Sequence, residues 1–303
     1  MPMKAGVFAL AGFLLTINSS LGNAADRLAC GSADRPIAIG GITDFETLAD
    51  PTATVLLRAT CKVRLYLHAN AVQRASDRKR LDGIFVVFRD TGPAGMEVGL
   101  QTKDPQIRSF LLNWIPAMIK RYGAGADEAS VNGLPYNMSQ QQLVDWKHFV
   151  DIAHYAGFHV VSPVFSPNGG QEPLDFFSPV YNNLRAAALY GGGITTDAPP
   201  GYFRGRGIAY QEFTKHEIVW ANAHHLKSFS IFSPWGNAFR ADTQAMLVAL
   251  RKSNATPREY IFENYNPNMP SNSPTAIGRD TDTNSVSGVA LWLARHLDGK
   301  TIE

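Results

Sequence analysis

What limits this chain's folding options most is an alternation. Short apolar runs of strand type each give way to a polar loop and then to a segment with helical apolar period. Strand-type runs stand at 84–88 (IFVVF), 159–165 (HVVSPVF), 193–196 (GITT), 228–232 (SFSIF) and 260–262 (YIF). Helical segments stand at 105–121, 139–155, 179–190, 210–225, 242–252 and 285–296. Ser139 is placed to cap the 139–155 helix and Gly157 to stop it. Earlier runs at 36–42, 54–60 and 62–68 read either as barrel strands or as an N-terminal antiparallel hairpin. Counted together these runs give eight strands, and alternation throughout 303 residues favours an α/β fold, a (β/α)8 TIM-type barrel, over a doubly wound sheet. The doubly wound sheet stays open as the alternative, because no strand follows the last helix.

The first segment reads as an address. Lys4 supplies a positive start, residues 7–17 (VFALAGFLLTI) form an apolar run, and Gly22-Asn23-Ala24 offers the small residues a signal peptidase reads. Residues 1–24 are therefore expected to be a cleaved secretory signal and residues 25–303 a single barrel domain, secreted or periplasmic. The apolar run is too short to span a bilayer, which takes roughly 20 residues, so no stable membrane insertion is expected after cleavage. Cys30 and Cys61 are the only cysteines, and an even count in an oxidising compartment argues for a disulfide between them. Such a bridge contributes on the order of 3 to 4 kcal/mol by constraining the unfolded chain. Lysine and arginine total 28 against 26 acids, and a formal charge of +2 gives no basic field for nucleic acid.

In a barrel the loops after the strands build the active face. Here the strand ends run into Arg89-Asp90, Ser166-Pro167-Asn168, Asp197, Ser233-Pro234-Trp235-Gly236-Asn237 and Glu263-Asn264-Tyr265-Asn266. Carboxylates, amides and aromatics at one rim suit a carbohydrate substrate: two carboxylates serve as acid and nucleophile or base, amides bond hydroxyls, and aromatic faces stack on sugar rings. Asp and Asn after a strand are also ordinary turn residues and helix caps, so the group of strand ends carries more weight than any member.

The pattern resembles that of (β/α)8-barrel glycoside hydrolases, in which a Glu ending a late strand is the nucleophile and a Glu after the fourth strand the acid/base. Glu263, in Ile261-Phe262-Glu263-Asn264, matches the late-strand position. Glu172, in Gln171-Glu172-Pro173, is similar to the Asn-Glu-Pro acid/base motif of one large group of these enzymes, with Gln in place of Asn. Asp197 competes with Glu172, because it immediately follows its strand and precedes the rigid Ala198-Pro199-Pro200. The resemblance implies Glu263 as nucleophile or base, Asp197 or Glu172 as proton donor, sugar contacts from Asp90, Asn168, Trp235, Asn264 and Tyr265, and no cofactor or metal. Carboxyl groups about 5 to 5.5 Å apart imply retention of configuration, and about 6.5 to 9.5 Å inversion.

Other chemistries fit less well. His216-Glu217 opens like a zinc-protease helix, but Trp220 stands where the second ligand belongs. No Gly-x-Ser-x-Gly elbow or Gly-x-Gly-x-x-Gly fingerprint occurs. Trp114, Trp146, Trp220 and Trp292 fall on apolar helical faces and read as core. Two further functions stay open: a non-catalytic polysaccharide-binding barrel and a metal-dependent phosphodiesterase.

Overall fold

Period-two apolar runs become staves here. β1 (Ile37–Gly41), β2 (Val63–His68), β3 (Met96–Thr102), β4 (Gly125–Val131), β5 (Val160–Phe165), β6 (Gly193–Asp197), β7 (Lys227–Phe232) and β8 (Glu259–Asn264) pair in parallel in chain order. β8 pairs β1 and closes the barrel. The computed structural model describes residues 37–41, 63–68, 96–102, 125–131, 138–166, 182–198, 209–234, 238–264 and 284–296, with single positions at 113, 116, 117, 120 and 134. Cys30, Cys61, the 1–24 signal segment and most of the 105–121 helix lie outside the described residues.

The barrel corrects three expectations. β1 and β2 are parallel neighbours, so 36–42 and 62–68 are staves and form no antiparallel hairpin. The runs at 54–60 and 84–88 lie outside the described residues, and the barrel closes without them. Their places in the count belong to β3 and β4. β4 (GADEASV) is hard to see because its small and acidic residues make no apolar run, although Ala129 and Val131 alternate with Glu128 and Ser130.

Five helices clothe the barrel among the described residues: α1 (Gln140–Tyr155), α2 (Asn182–Gly191), α3 (Ala209–Ala223), α4 (Phe239–Lys252) and α5 (Val286–His296). α1 begins with a capping box, in which the Gln142 amide donates to Ser139 Oγ and the Ser139 amide to Gln142 Oε1. Helix ends repeat one device. Gly157, His225 and Asn254 take φ of 102°, 58° and 52°. The next amides, of Phe158, Leu226 and Ala255, bond back to Ala153, Ala221 and Leu250. Each turn delivers the chain straight into the following strand.

Alternation along the strands sorts side chains to two faces. Val160, Phe229, Ile231 and Ile261 form one buried cluster, and since β5 and β8 are not neighbours it fills the barrel interior. Phe232 and Phe262 face out, where their rings stack with centroids 5.6 Å apart and Phe239 of α4 packs edge-on at 6.4 Å. Trp146 of α1 is buried, its indole N–H donating to the Ala187 carbonyl of α2 at 2.9 Å. Trp292 is buried as well, whereas Trp220 is only half-buried under the Arg185 guanidinium.

Where α2 meets β5 the backbones touch. A Cβ on Gly191 would lie 1.9 Å from the Val161 carbonyl oxygen and 3.3 Å from the Trp146 ring. Gly191→Ala is therefore expected to cost about 2 to 3 kcal/mol of stability through overpacking. Gly192 has open space around its Cβ position and φ of +81°, so Gly192→Ala should cost only about 1 kcal/mol. Urea unfolding checks the order; a Gly191 variant no weaker than its neighbour would contradict the close approach.

Candidate active site

The inward positions change character along the barrel axis. Ile231 and Ile261 fill the middle of β7 and β8, while Asp197 and Glu263 occupy inward positions at or near the C-terminal ends of β6 and β8. Asp197 is inward because Gly193 and Thr195 are. A Cβ on Gly193 would meet Val160 Cγ1 at 2.5 Å, and Thr195 donates to Glu128 of β4 across the interior. Register sets the relation of the two acids: Asp197 pairs with Ile231, and Ile231 with Ile261. Glu263 thus stands on the next strand but one, two residues further along.

Glu263 is only 2% exposed. Its Oε1 accepts a hydrogen bond from Ser233 Oγ, at 3.4 Å, and Ser233 is itself buried just past the end of β7. On the β1 side its register partner is Gly40. A carboxylate so desolvated interacts strongly with charge that develops beside it. Asp197 is half-buried, which keeps its carboxyl within reach of solvent protons.

Of the other residues singled out in the sequence, Asn264 ends β8 in register with Gly41. Glu172, Asp90, Asn168, Trp235 and Tyr265 lie outside the described residues. His148, His154, His159, His224 and His225 are exposed. Glu217, which opened the zinc-like motif with His216, is buried against Arg185 of α2 on the barrel's outside, with N to O at 2.8 Å. Among the described residues no group of three or more His, Cys, Asp or Glu stands close enough to hold a metal ion. None of their helices is long and apolar enough to cross a membrane.

Two inward acids were not visible in the sequence. Glu128 on β4 and Glu259 at the start of β8 are fully buried. Glu259-Tyr260-Ile261-Phe262-Glu263 carries the signal, an alternation with acids flanking Ile261 on one face. Glu128 sits in a run with no strand signature beyond its small residues.

The fold is thus a (β/α)8 barrel with acidic side chains at its C-terminal mouth. It is similar to a protein described as a fructose-1,6-biphosphate aldolase from Coccidioides immitis, with a TM-score of 0.50 and 11% identity over 87% of this chain and 90% of that one. It is also similar to the GH113 β-mannanase of Alicyclobacillus acidocaldarius, with a TM-score of 0.47 and 12% identity over 86% and 96% of the two chains. A D-allulose 3-epimerase from Methylomonas sp. matches with a TM-score of 0.45 and 11% identity over 87% and 98%. No family model and no curated protein matches the sequence. At 11% identity the first of these likenesses bears on the fold alone, and the reaction is argued from the site.

Proposed function

We propose that the chain is an exported glycoside hydrolase that cleaves a poly- or oligosaccharide by paired-carboxylate acid/base chemistry. One observation carries the proposal: Glu263 and Asp197 occupy inward positions at the C-terminal ends of two strands separated by one, on the face where barrels do chemistry. Glu263, buried and bonded by Ser233, suits the nucleophile or base, whose orientation must be fixed before the sugar arrives. Asp197 suits the proton donor, because a donor must recover its proton from water after each turnover and this one is half-exposed. Glu172 is the alternative donor, and Asp90, Asn168, Trp235, Asn264 and Tyr265 would hold the sugar. Catalysis then proceeds by protonation of the glycosidic oxygen from Asp197 while Glu263 attacks the anomeric carbon or activates water against it.

The test is incubation of the mature protein with a panel of polysaccharides and oligosaccharides, followed by assay for new reducing ends. Product on at least one glycan is expected. Calorimetric binding of a glycan without product would overturn hydrolysis in favour of a sugar-binding barrel. Activity lost to a chelator would point to metal-dependent chemistry instead.

A further inference from the structure

Beneath the mouth, side chains from three strands close a ring. Glu128 of β4 is fully buried, and Ser162 Oγ of β5 and Thr195 Oγ1 of β6 each bond its Oε1 at 2.5 Å. The two hydroxyls bond one another at 2.6 Å. Ser162 and Thr195 are fully buried as well. β4 and β6 are separated by β5, so the ring lies across the barrel interior rather than along its outer surface.

The hydrogens of this ring fix the state of its acid. Three contacts between oxygens at such distances need a hydrogen apiece. Each hydroxyl supplies one, and an ionised carboxylate supplies none. With Glu128 ionised, both hydroxyls would point at Oε1 and their own oxygens would face each other at 2.6 Å with nothing between. A proton on Oε1 completes the circuit, each group donating to the next in one direction around the ring. We propose that Glu128 carries this proton at neutral pH and that the proton closes a clasp across β4, β5 and β6, which alkaline ionisation of Glu128 opens. The clasp is independent of the proposed hydrolysis.

The surroundings favour the neutral acid. The register partner of Glu128 on β5 is Val160 and that of Thr195 on β7 is Phe229, both members of the buried apolar cluster, where a charge is penalised. Asp197 stands two residues beyond Thr195 on β6, and β8 adds Glu259 and Glu263; when ionised, each disfavours a further negative charge. β1 and β5 bring no titratable residue. On β3, Glu97 is in register with Gly125, three residues before Glu128. Arg64 of β2 is in register with Glu97, so that cation has an acid directly across its own strand pair. His68 of β2 is in register with Gln101, and Gln101 with Ser130, two residues beyond Glu128. Lys227 begins β7 in register with Gly193, two residues before Thr195. Both cations thus stand near the starts of their strands.

A proton kept by the fold makes stability fall as pH rises. Below about pH 4.3, the ordinary glutamate midpoint, the folded and unfolded chains both hold the proton and the clasp has its full strength. Above it the unfolded chain alone releases the proton, so each pH unit raises the unfolding constant about tenfold until Glu128 ionises in the folded protein. Glu128→Gln isolates this slope. Its amide nitrogen has two hydrogens for the two hydroxyls, Ser162 and Thr195 still share one between them, and nothing is left to ionise. From about pH 5 to about pH 7 the unfolding constant of wild type relative to Glu128→Gln, measured in urea, should rise about 100-fold. In glutamate-labelled wild type at neutral pH, the carboxyl carbon of Glu128, assigned by its loss in Glu128→Gln, should have the NMR shift of a neutral acid.

A carboxylate shift for that carbon at neutral pH would overturn the inference, and so would a relative unfolding constant that stays level or falls over the same range. If Glu128→Gln does not fold, Thr195→Ser keeps the hydroxyl and identifies the Glu128 carbon as the glutamate signal it displaces most. A neutral-acid shift of that signal in wild type then supports the clasp, and a carboxylate shift overturns it.

Discussion

Glu263→Gln is expected to lower the rate of reducing-end release by about 10³-fold or more while leaving the protein folded. The amide keeps the shape of the carboxyl and an Oε1 that accepts from Ser233, so the buried hydroxyl at 3.4 Å retains its partner. What disappears is the negative charge that attacks the anomeric carbon or takes a proton from water, and losses of 10² to 10⁴ are typical for such groups. The variant should unfold within about 1 kcal/mol of wild type, since the amide has the volume of the carboxyl and leaves no cavity. Initial rates and thermal unfolding, measured on the same preparation, give both numbers. A folded variant with wild-type rates would remove Glu263 from the chemistry.

Arg185→Met is expected to cost about 3 to 5 kcal/mol of stability with no direct effect on the barrel mouth. The guanidinium of α2 bonds the fully buried Glu217 of α3 at 2.8 Å and lies over the Trp220 ring, 5.5 Å from its centroid. It joins two helices on the outside of the barrel. Removing Arg185 leaves the fully buried Glu217 carboxylate with His216 at 3.4 Å, a partner that is charged only when protonated, and this is why the loss exceeds that of an exposed pair. Glu217→Gln in the Arg185→Met background should recover most of it, because an amide in place of the carboxylate carries no charge to strand. Denaturant unfolding of the four proteins gives the coupling energy of the pair. A single-variant loss below about 1 kcal/mol would show that the ion pair does not hold α2 to α3.

Much of the barrel was legible because its second half follows simple periods. Four described strands, β5 to β8, coincide to within a residue or two with apolar runs, and α1 begins and ends where Ser139 and Gly157 signal. β3 and β4 were not, for a physical reason. A stave that turns polar side chains inward needs apolar residues only toward the helices, and β4 places Glu128 and Ser130 inward, so its apolar content falls to Ala126, Ala129 and Val131. A polar interior erases the signal by which strands are recognised.

The same cause hid part of the site. Asp197 and Glu263 stand out because they end apolar runs, whereas Glu128 and Glu259 lie within strands where an acid reads as a break. His225 and Asn254 show the limit from the other side, as neither residue announces the positive φ it takes at a helix end. Gly191 is similar: nothing in Tyr190-Gly191-Gly192-Gly193 tells which glycine meets a carbonyl and which merely turns the chain.

One series of rates puts the carboxylates themselves on trial: reducing-end release by wild type, Glu263→Gln and Asp197→Asn on the same glycan, with folding and glycan binding measured for each. The expected result is product from wild type and at least a 10²-fold loss in both folded amide variants, with binding retained. Wild-type rates from both variants, or glycan binding by wild type with no product, would contradict catalysis by the acids at the barrel mouth.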